Sequence, residues 1–195
     1  TVATVSDGLR TELITYSDLK WQLALQPGVS LAQPRSEDLN IALRTVINQR
    51  IFALEAERIP RAAPTDLEVK AQINDILSRF TSAAEFEQRL RMVGFESVRD
   101  DNFQRLITER VAITKYIDFR FRSFVVNTPD EETRYYTQTY APEFRRRYPG
   151  VEVPTLEQRR KDVDEQLTES KVLLNIETFL DDAKRWIEVV ILKPV

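Results

Sequence analysis

The sequence predicts a mainly α, elongated multi-helix domain with a small antiparallel sheet formed by an N-terminal hairpin and a C-terminal strand. Three observations support this fold class. Only four Gly occur in 195 residues, which favours helices over a glycine-rich β architecture. Capping signals followed by apolar residues at spacings of three and four recur along the chain. Strand-forming runs occur only at the two ends, so we expect the ends to pair in one sheet.

The first three elements are each predicted from a local pattern. The segment Val2–Ile14 is rich in strand-forming residues around Asp7-Gly8, a preferred two-residue hairpin turn. A helix of about three turns follows over Thr15–Pro27, because Thr15 is a good N-cap residue. The segment Leu39–Leu54 has apolar residues at helical spacing, which predicts a helix of about six turns that ends near Pro60.

Four further helix starts lie in the middle of the chain. Thr65-x-x-Glu68 and Ser82-x-x-Glu85 are capping boxes, in which the two side chains satisfy each other's backbone donors. Gly94 is placed to end the second of these helices in a left-handed C-cap. Ser97-x-x-Asp100 predicts the start of a long helix, and Thr128-Pro129 begins another with acidic residues facing the helix dipole.

The last third of the chain is predicted to be a connector, a long helix and a strand. The connector covers residues 142–154 and is predicted from Pro142, Pro149, Gly150 and Pro154. A helix follows over Thr155–Trp186, and at about 30 residues it would be about 45 Å long, which favours an elongated body with grooves. The segment Ile187–Leu192 is predicted to be a buried strand, because it is nearly all apolar. We expect one domain over residues 1–195, in which the connector separates 1–141 from 155–195.

The composition argues against several classes of function. The chain has no Cys and no His, so it offers no thiolate nucleophile, no imidazole base and no Cys or His metal ligand. A net charge of −3 argues against a dedicated nucleic-acid binder. No apolar run approaches the roughly 18 residues of a membrane span. We therefore predict a binding protein rather than an enzyme, with no catalytic residues, metal or cofactor.

Aromatic side chains crowd the middle of the chain and are the candidate binding surface. Phe119 and Phe121 differ by about 200° around a helix, so one apolar stripe cannot bury both. This pattern favours a partly exposed apolar groove for peptide, and the alternative is two-sided packing in an all-helical core. The candidate peptide-binding residues are Trp21, Phe103, Tyr116, Phe119, Phe124, Tyr135, Tyr136 and Tyr140.

Two kinds of charged segment are further candidate sites, one for anions or nucleic acid and one for a metal ion. The segment Phe144–Tyr148 contains three successive arginines that could bind anions or nucleic acid, although arginines in a connector more often form a solvated surface. The acidic segments Glu131-Glu132 and Asp162–Glu165 lack the glycine-bearing loop of a calcium site. Acidic residues in the first turn of a helix are already explained by the helix dipole.

Several of these motifs occur in the same order in a known family. The motif-bearing segments are Leu13–Leu19 (Leu-Ile-Thr-Tyr-Ser-Asp-Leu), Val46–Ala56, Thr65–Glu68, Phe86–Gly94 (Phe-x-x-x-Leu-x-x-x-Gly) and Thr128–Tyr136, which ends in Tyr-Tyr. Their order resembles that of the SurA-like periplasmic chaperones. The resemblance covers nearly the whole chain.

The resemblance implies an ATP-independent periplasmic holdase that binds unfolded exported or outer-membrane polypeptides. The family commonly carries a parvulin-type prolyl isomerase domain after the Tyr-Tyr helix, where this chain has only the connector. A parvulin site normally uses histidines, so the resemblance implies the chaperone core without the isomerase. The chain opens on Thr1 without a leader, so we expect that any secretory signal was removed or never existed. The alternative is a non-catalytic assembly or scaffolding subunit with a permanent partner or a homodimer interface.

Overall fold

The computed structural model describes residues 1–58 and 63–195 of the chain. The fold is mainly α with one small antiparallel sheet, which confirms the predicted fold class. The helices are α1 (Tyr16–Ala24), α2 (Ser36–Glu57), α3 (Asp66–Ser78), α4 (Ala83–Met92), α5 (Asp101–Ile117), α6 (Pro129–Tyr135), α7 (Ala141–Arg147) and α8 (Leu156–Ala183). The strands are β1 (Ala3–Ser6), β2 (Thr11–Ile14) and β3 (Glu188–Ile191). Two π-helical segments, Asp118–Arg122 and Tyr136–Tyr140, follow α5 and α6. The predicted helix end near Pro60 lies outside the described residues.

The chain divides into two compact units. Unit 1 consists of residues Thr1–Tyr116 and Leu180–Val195, and unit 2 consists of Ile117–Phe179. A hydrophobic core cluster belongs to unit 1 and is supplied by α3, α4, α5 and the segments beside them. Its buried residues include Ile73, Ile76, Phe80, Phe86, Leu90, Phe95, Phe103 and Ile107.

The sheet joins both ends of the chain, as expected from the two strand-forming runs. Its strand order is β2-β1-β3, and both pairings are antiparallel. Ser6 lies opposite Thr11, so the segment Asp7–Arg10 connects β1 to β2 and the turn is longer than the predicted two residues. The Asp7 carboxylate accepts from the backbone N–H of Leu9 at 3.0 Å and of Arg10 at 2.8 Å, and these bonds hold the longer turn.

The prediction that the C-terminal strand is buried is wrong. All four residues of β3 are exposed, and Ile191 retains 59% of its accessible surface. The reason is position, because β3 is an edge strand that pairs with β1 on one side alone within the described parts of the chain. Ile187, which precedes the strand, is buried.

Local capping signals locate most helix starts. Thr15, Thr65 and Thr128 each form a complete capping box at the start of α1, α3 and α6. At α4, Ser82 accepts from the Glu85 N–H. The Glu85 carboxylate in turn accepts from Thr81, the residue before the cap.

The other end of α4 is closed by a glycine in the left-handed conformation. Gly94 has a φ of 98°. Its N–H donates to the Arg91 carbonyl at 3.2 Å, and the Phe95 N–H donates to the Leu90 carbonyl at 3.0 Å. These two bonds form a Schellman motif, with Leu90 and Phe95 both buried beside it. The predicted C-cap is therefore confirmed.

Two predicted boundaries are wrong. The long helix α5 starts at Asp101 rather than near Ser97, because the Asp100 carboxylate accepts from the N–H groups of Asn102 and Phe103. The predicted connector at 142–154 starts later, because Pro142 lies inside α7. Proline cannot donate a helical hydrogen bond, but a wider π-helical segment directly precedes it and α7 begins with it in the first turn.

Candidate functional site

Two of the predicted peptide-binding residues are core residues in this structure. Phe103 and Tyr116 are both 0% exposed. Phe103 packs edge-to-face with Phe86 and Phe95, at ring-centroid distances of 6.0 and 5.5 Å. Tyr116 lies 6.2 Å from Phe52. The expectation of an exposed role for these two rings is corrected, because other elements of unit 1 cover them.

Trp21 is half-buried and anchors α1 to the segment after α4. Its ring lies 5.2 Å from that of Phe95, and its Nε1–H donates to the Val93 carbonyl at 3.0 Å. A tryptophan that is buried with its N–H satisfied is typical of a packing contact. The structure therefore places Trp21 at the edge of the unit 1 core.

Phe119 and Phe124 are the two most accessible of the predicted residues. They retain 48% and 72% of their accessible surface and pack edge-to-face at 5.9 Å. Both lie in or just after the π-helical segment Asp118–Arg122. Phe121, two residues after Phe119, is buried against Phe179 at 5.5 Å. The two phenylalanines of this segment thus have opposite environments, as the predicted angular separation requires.

A groove of about 290 Å³ lies beside Phe124 in unit 2, and we call it the Phe124 groove. Residues from the π-helical segment, the loop after it and α8 line it. They include Phe121, Phe124, Val125, Val126, Lys171 and Leu174. Val126 and Leu174 are 77% and 61% exposed, so the walls of the groove present apolar surface to water. Such surface usually marks a contact site.

The loop that carries Val125 and Val126 is tied to α8. The Asn127 side-chain amide donates to the Asp164 backbone carbonyl at 3.2 Å, to the Asp164 carboxylate at 2.8 Å and to the Thr168 hydroxyl at 2.8 Å. Lys171 Nζ donates to the Val126 carbonyl at 2.9 Å. These bonds tie the loop to α8, while the buried Asn127 Oδ1 accepts no hydrogen bond from the described residues.

Charge pairs reinforce the same region. Lys171 also contacts Glu131 at 2.9 Å. This ammonium, together with the backbone and hydroxyl of Thr128, lowers the pKa of Glu131 to about 2. Arg122 forms ion pairs with Glu169 and with Asp118, and both pairs raise its pKa. Glu131 and Arg122 are therefore charged at neutral pH, and Glu131 pairs with Lys171, which lines the Phe124 groove.

The three predicted tyrosines lie on α6 and the π-helical segment that follows it. All three, Tyr135, Tyr136 and Tyr140, are partly exposed. Tyr136 and Tyr140 stack at 5.7 Å, and the Tyr136 hydroxyl donates to the Pro154 carbonyl at 2.8 Å. The stack brings two of the three tyrosines together but does not include Tyr135.

The stack continues through two rings that the list of candidate residues omits. Phe144 lies 6.1 Å from Tyr140, and Tyr148 lies 4.9 Å from Phe144. We call Tyr136, Tyr140, Phe144 and Tyr148 the aromatic ladder. These four aromatic residues follow one another at intervals of four positions in the sequence, and this spacing places side chains on one face of a helix. The predicted connector hid this signal, because it placed Phe144 and Tyr148 outside any helix.

Leu174 and Val126 were also missed as candidate residues. Adjacent Leu173 and Leu174 cannot both face one narrow apolar stripe of a helix, since successive residues lie about 100° apart. Val126 lies in a loop, two residues before the Thr128 cap, where an apolar side chain has no periodic pattern to assign it.

The described residues, 1–58 and 63–195, contain neither a metal cluster nor a membrane-spanning helix. Within these residues, no cluster of three acidic side chains is placed to hold a metal ion. Every helix there is too short or too polar to cross a membrane.

Comparison with known proteins identifies no relative. No family model, curated protein or solved structure matches the chain. The SurA-like resemblance stays a prediction from the order of motifs, and the exposed surfaces of the molecule are the basis for assigning a function.

Proposed function

We propose that this chain is an ATP-independent holdase chaperone of the periplasm that binds unfolded exported polypeptides, including outer-membrane proteins, without catalysis. The observation that carries the proposal is the exposure of Phe119 and Phe124 beside the Phe124 groove. Water contact with two large rings costs free energy, and covering them with the apolar side chains of a client recovers it. The SurA-like order of motifs supports the same function.

The energy that such a surface supplies is of the right size for a holdase. Micromolar binding corresponds to about −8 kcal/mol. Burying four client side chains contributes about 6–12 kcal/mol, from which the cost of ordering the client is subtracted. The balance is weak enough for a client to dissociate without ATP. A groove of about 290 Å³ accommodates a side chain or two, so a client is expected to engage several places on the protein.

A light-scattering experiment tests the proposal. An unfolded outer-membrane protein is diluted from urea into buffer with and without an equimolar amount of this protein. We expect the wild type to slow aggregation and the Phe119→Ser/Phe124→Ser double variant to lose most of this effect. The matched control is Leu9→Ser/Leu67→Ser, which removes two side chains that are 91% and 77% exposed in unit 1.

Three results would contradict the proposal. Aggregation that proceeds unchanged in the presence of the wild type would show that the protein has no holdase activity. Equal loss in both double variants would mean that general surface apolarity, and not this site, binds the client. Turnover in a prolyl isomerisation assay would contradict a function without catalysis. Far-UV circular dichroism of each variant checks that the helices are retained.

A permanent-interface function is the second candidate, and the exposed edge of β3 favours it. Leu192 N–H donates to the Val2 carbonyl at 2.8 Å. Alternation along an antiparallel strand then directs the backbone groups of Val189 and Ile191 to the open edge. An apolar edge strand is a template for pairing with another strand. In this case the protein would be a scaffolding subunit or a homodimer.

Sedimentation velocity across a concentration series separates the two functions. A dimer that persists at the lowest concentration and is broken by Ile191→Lys would favour the permanent interface. A monomer at all concentrations would reject the homodimer and agree with a holdase that is free between clients.

A further inference from the structure

A second cleft in unit 2 lies along the aromatic ladder and has a different chemistry from the Phe124 groove. Its volume is about 590 Å³. Tyr140, Phe144 and Tyr148 line one wall, and Arg159, Asp162 and Gln166 of α8 line another. We call it the ladder cleft. It is large enough for several side chains of a bound segment.

The rings of the ladder are arranged in two ways. Tyr136, Tyr140 and Phe144 stack with interplanar angles of 22° and 26°, whereas the planes of Phe144 and Tyr148 are tilted by 47°. The edge of an aromatic ring carries the positive part of its quadrupole. A row of such edges attracts negative charge, and it also accepts the face of another aromatic ring in an edge-to-face contact.

The charged residues of the cleft add to this positive character. Arg146, Arg147 and Arg159 line it together with Glu143 and Asp162. Arg159 is paired with Asp162 at 3.0 Å. Arg146 and Arg147 are exposed and form no ion pair with a carboxylate of the described residues. Two guanidinium groups therefore remain available, against the single carboxylate of Glu143.

We propose that the ladder cleft binds an acidic polypeptide segment that carries aromatic residues. Carboxylates of the segment pair with Arg146 and Arg147, whose planar guanidinium groups accept a carboxylate in two parallel hydrogen bonds. Aromatic side chains of the segment pack their faces on the ring edges of Tyr140, Phe144 and Tyr148. The test of this binding is separate from that of the proposed holdase activity, because the ladder cleft shares no residue with the Phe124 groove.

Single-stranded nucleic acid is the other anionic and aromatic ligand, and the structure disfavours it. Bases bind such surfaces by stacking on free aromatic faces. Tyr136, Tyr140 and Phe144 already stack on one another, at centroid distances of 5.7 and 6.1 Å, which leaves fewer free faces for bases.

Fluorescence anisotropy with a labelled peptide tests the proposal on the full chain. The probe is a capped hexapeptide of alternating Glu and Tyr. We expect Arg146→Gln/Arg147→Gln to raise its Kd at least tenfold. The matched control, Arg134→Gln/Arg145→Gln, removes the same charge from two exposed arginines of unit 2 that do not line the cleft, and we expect less than a twofold change.

Three companion probes complete the test. Hexapeptides of alternating Lys and Tyr, and of alternating Glu and Ala, should each bind at least tenfold more weakly than the Glu-Tyr probe. An oligothymidylate of ten nucleotides should also bind more weakly. Equal effects of the two double variants, equal binding of either control peptide, or tighter binding of the oligonucleotide would each overturn the proposal.

Discussion

Replacing Arg89 with Met removes a guanidinium that joins α4 to the end of α1 and the loop after it. Arg89 Nε donates to the Ala24 carbonyl at 3.1 Å, Nη1 to Val29 at 2.9 Å, and Nη2 to Leu23 at 2.9 Å and Gln26 at 2.8 Å. Three of these carbonyls lie at or just after the end of α1, where a helix leaves carbonyls without intrahelical donors. The Leu23 carbonyl also accepts from the Gln26 N–H at 3.0 Å, so the half-buried guanidinium mainly supplies donors for Ala24, Gln26 and Val29.

The magnitude follows from the number of bonds and their exposure. A hydrogen bond from a charged donor is worth about 1.5–3 kcal/mol. Four such bonds on one side chain are not additive, and water replaces some of them at a half-buried site. Counting two full bonds gives a loss of about 3 kcal/mol in the free energy of unfolding. At a urea m-value of about 2 kcal/mol/M, the unfolding midpoint would fall by about 1.5 M.

Tryptophan fluorescence during urea unfolding reports this loss of stability in unit 1. Both tryptophans of the chain, Trp21 and Trp186, belong to unit 1, as does Arg89. The matched control is Arg91→Met on the same helix, where an exposed pair with Glu87 at 3.7 Å is worth less than about 0.5 kcal/mol.

Arg89→Lys separates charge from geometry. A lysine keeps the positive charge, but its ammonium donates from a single point and cannot span the four carbonyls. We expect the urea unfolding midpoint of Arg89→Lys to lie between those of Arg89→Met and the wild type. The reasoning would be refuted if Arg89→Met shifted the midpoint no more than Arg91→Met, or if Arg89→Lys matched the wild type.

Three other perturbations have expected outcomes. Gly94→Ala forces a side chain into a φ of 98° and should lower the stability of unit 1 by about 1–2 kcal/mol, measured by urea unfolding. Lys115, together with the backbone and hydroxyl of Thr65, lowers the pKa of Glu68 from 4.5 to about 2. The stability that the Glu68 carboxylate contributes is therefore complete above pH 4.5 and is lost as the pH falls toward 2. Glu68→Gln should remove that part of the pH dependence, and an unchanged acid profile would contradict it. Asn127→Ala removes the bonds from the groove loop to α8 and should speed hydrogen exchange over residues 123–128, with unchanged exchange as the contrary result.

Helix starts could be predicted wherever the stabilising contacts are local. The capping boxes of Thr15, Thr65 and Thr128 use a partner three residues along the chain, so no other element is needed to form them. Ser97 shows the limit of this reasoning. Its motif ends in Asp100, and both residues are good caps, but only Asp100 is followed directly by the helix.

The candidate surface was predictable only in part. Phe119 and Phe124 are exposed in unit 2, whereas Phe103 and Tyr116, chosen from the same aromatic pattern, are fully buried. An apolar residue at helical spacing gives the same sequence pattern whether it packs against another helix or faces water. The ladder shows the converse case, because the spacing of its four rings was visible but Pro142 suggested that the helix had ended.

The sequence by itself determined the class of the fold, the pairing of the two chain ends and the caps of α1, α3 and α6. These follow from composition, from strand-forming residues and from hydrogen bonds within a few residues. Only the tertiary structure decided that β3 is an exposed edge and that the helix continues through Pro142 to complete the aromatic ladder. Burial depends on which other segments arrive at a residue, and that arrangement is a property of the whole packed chain.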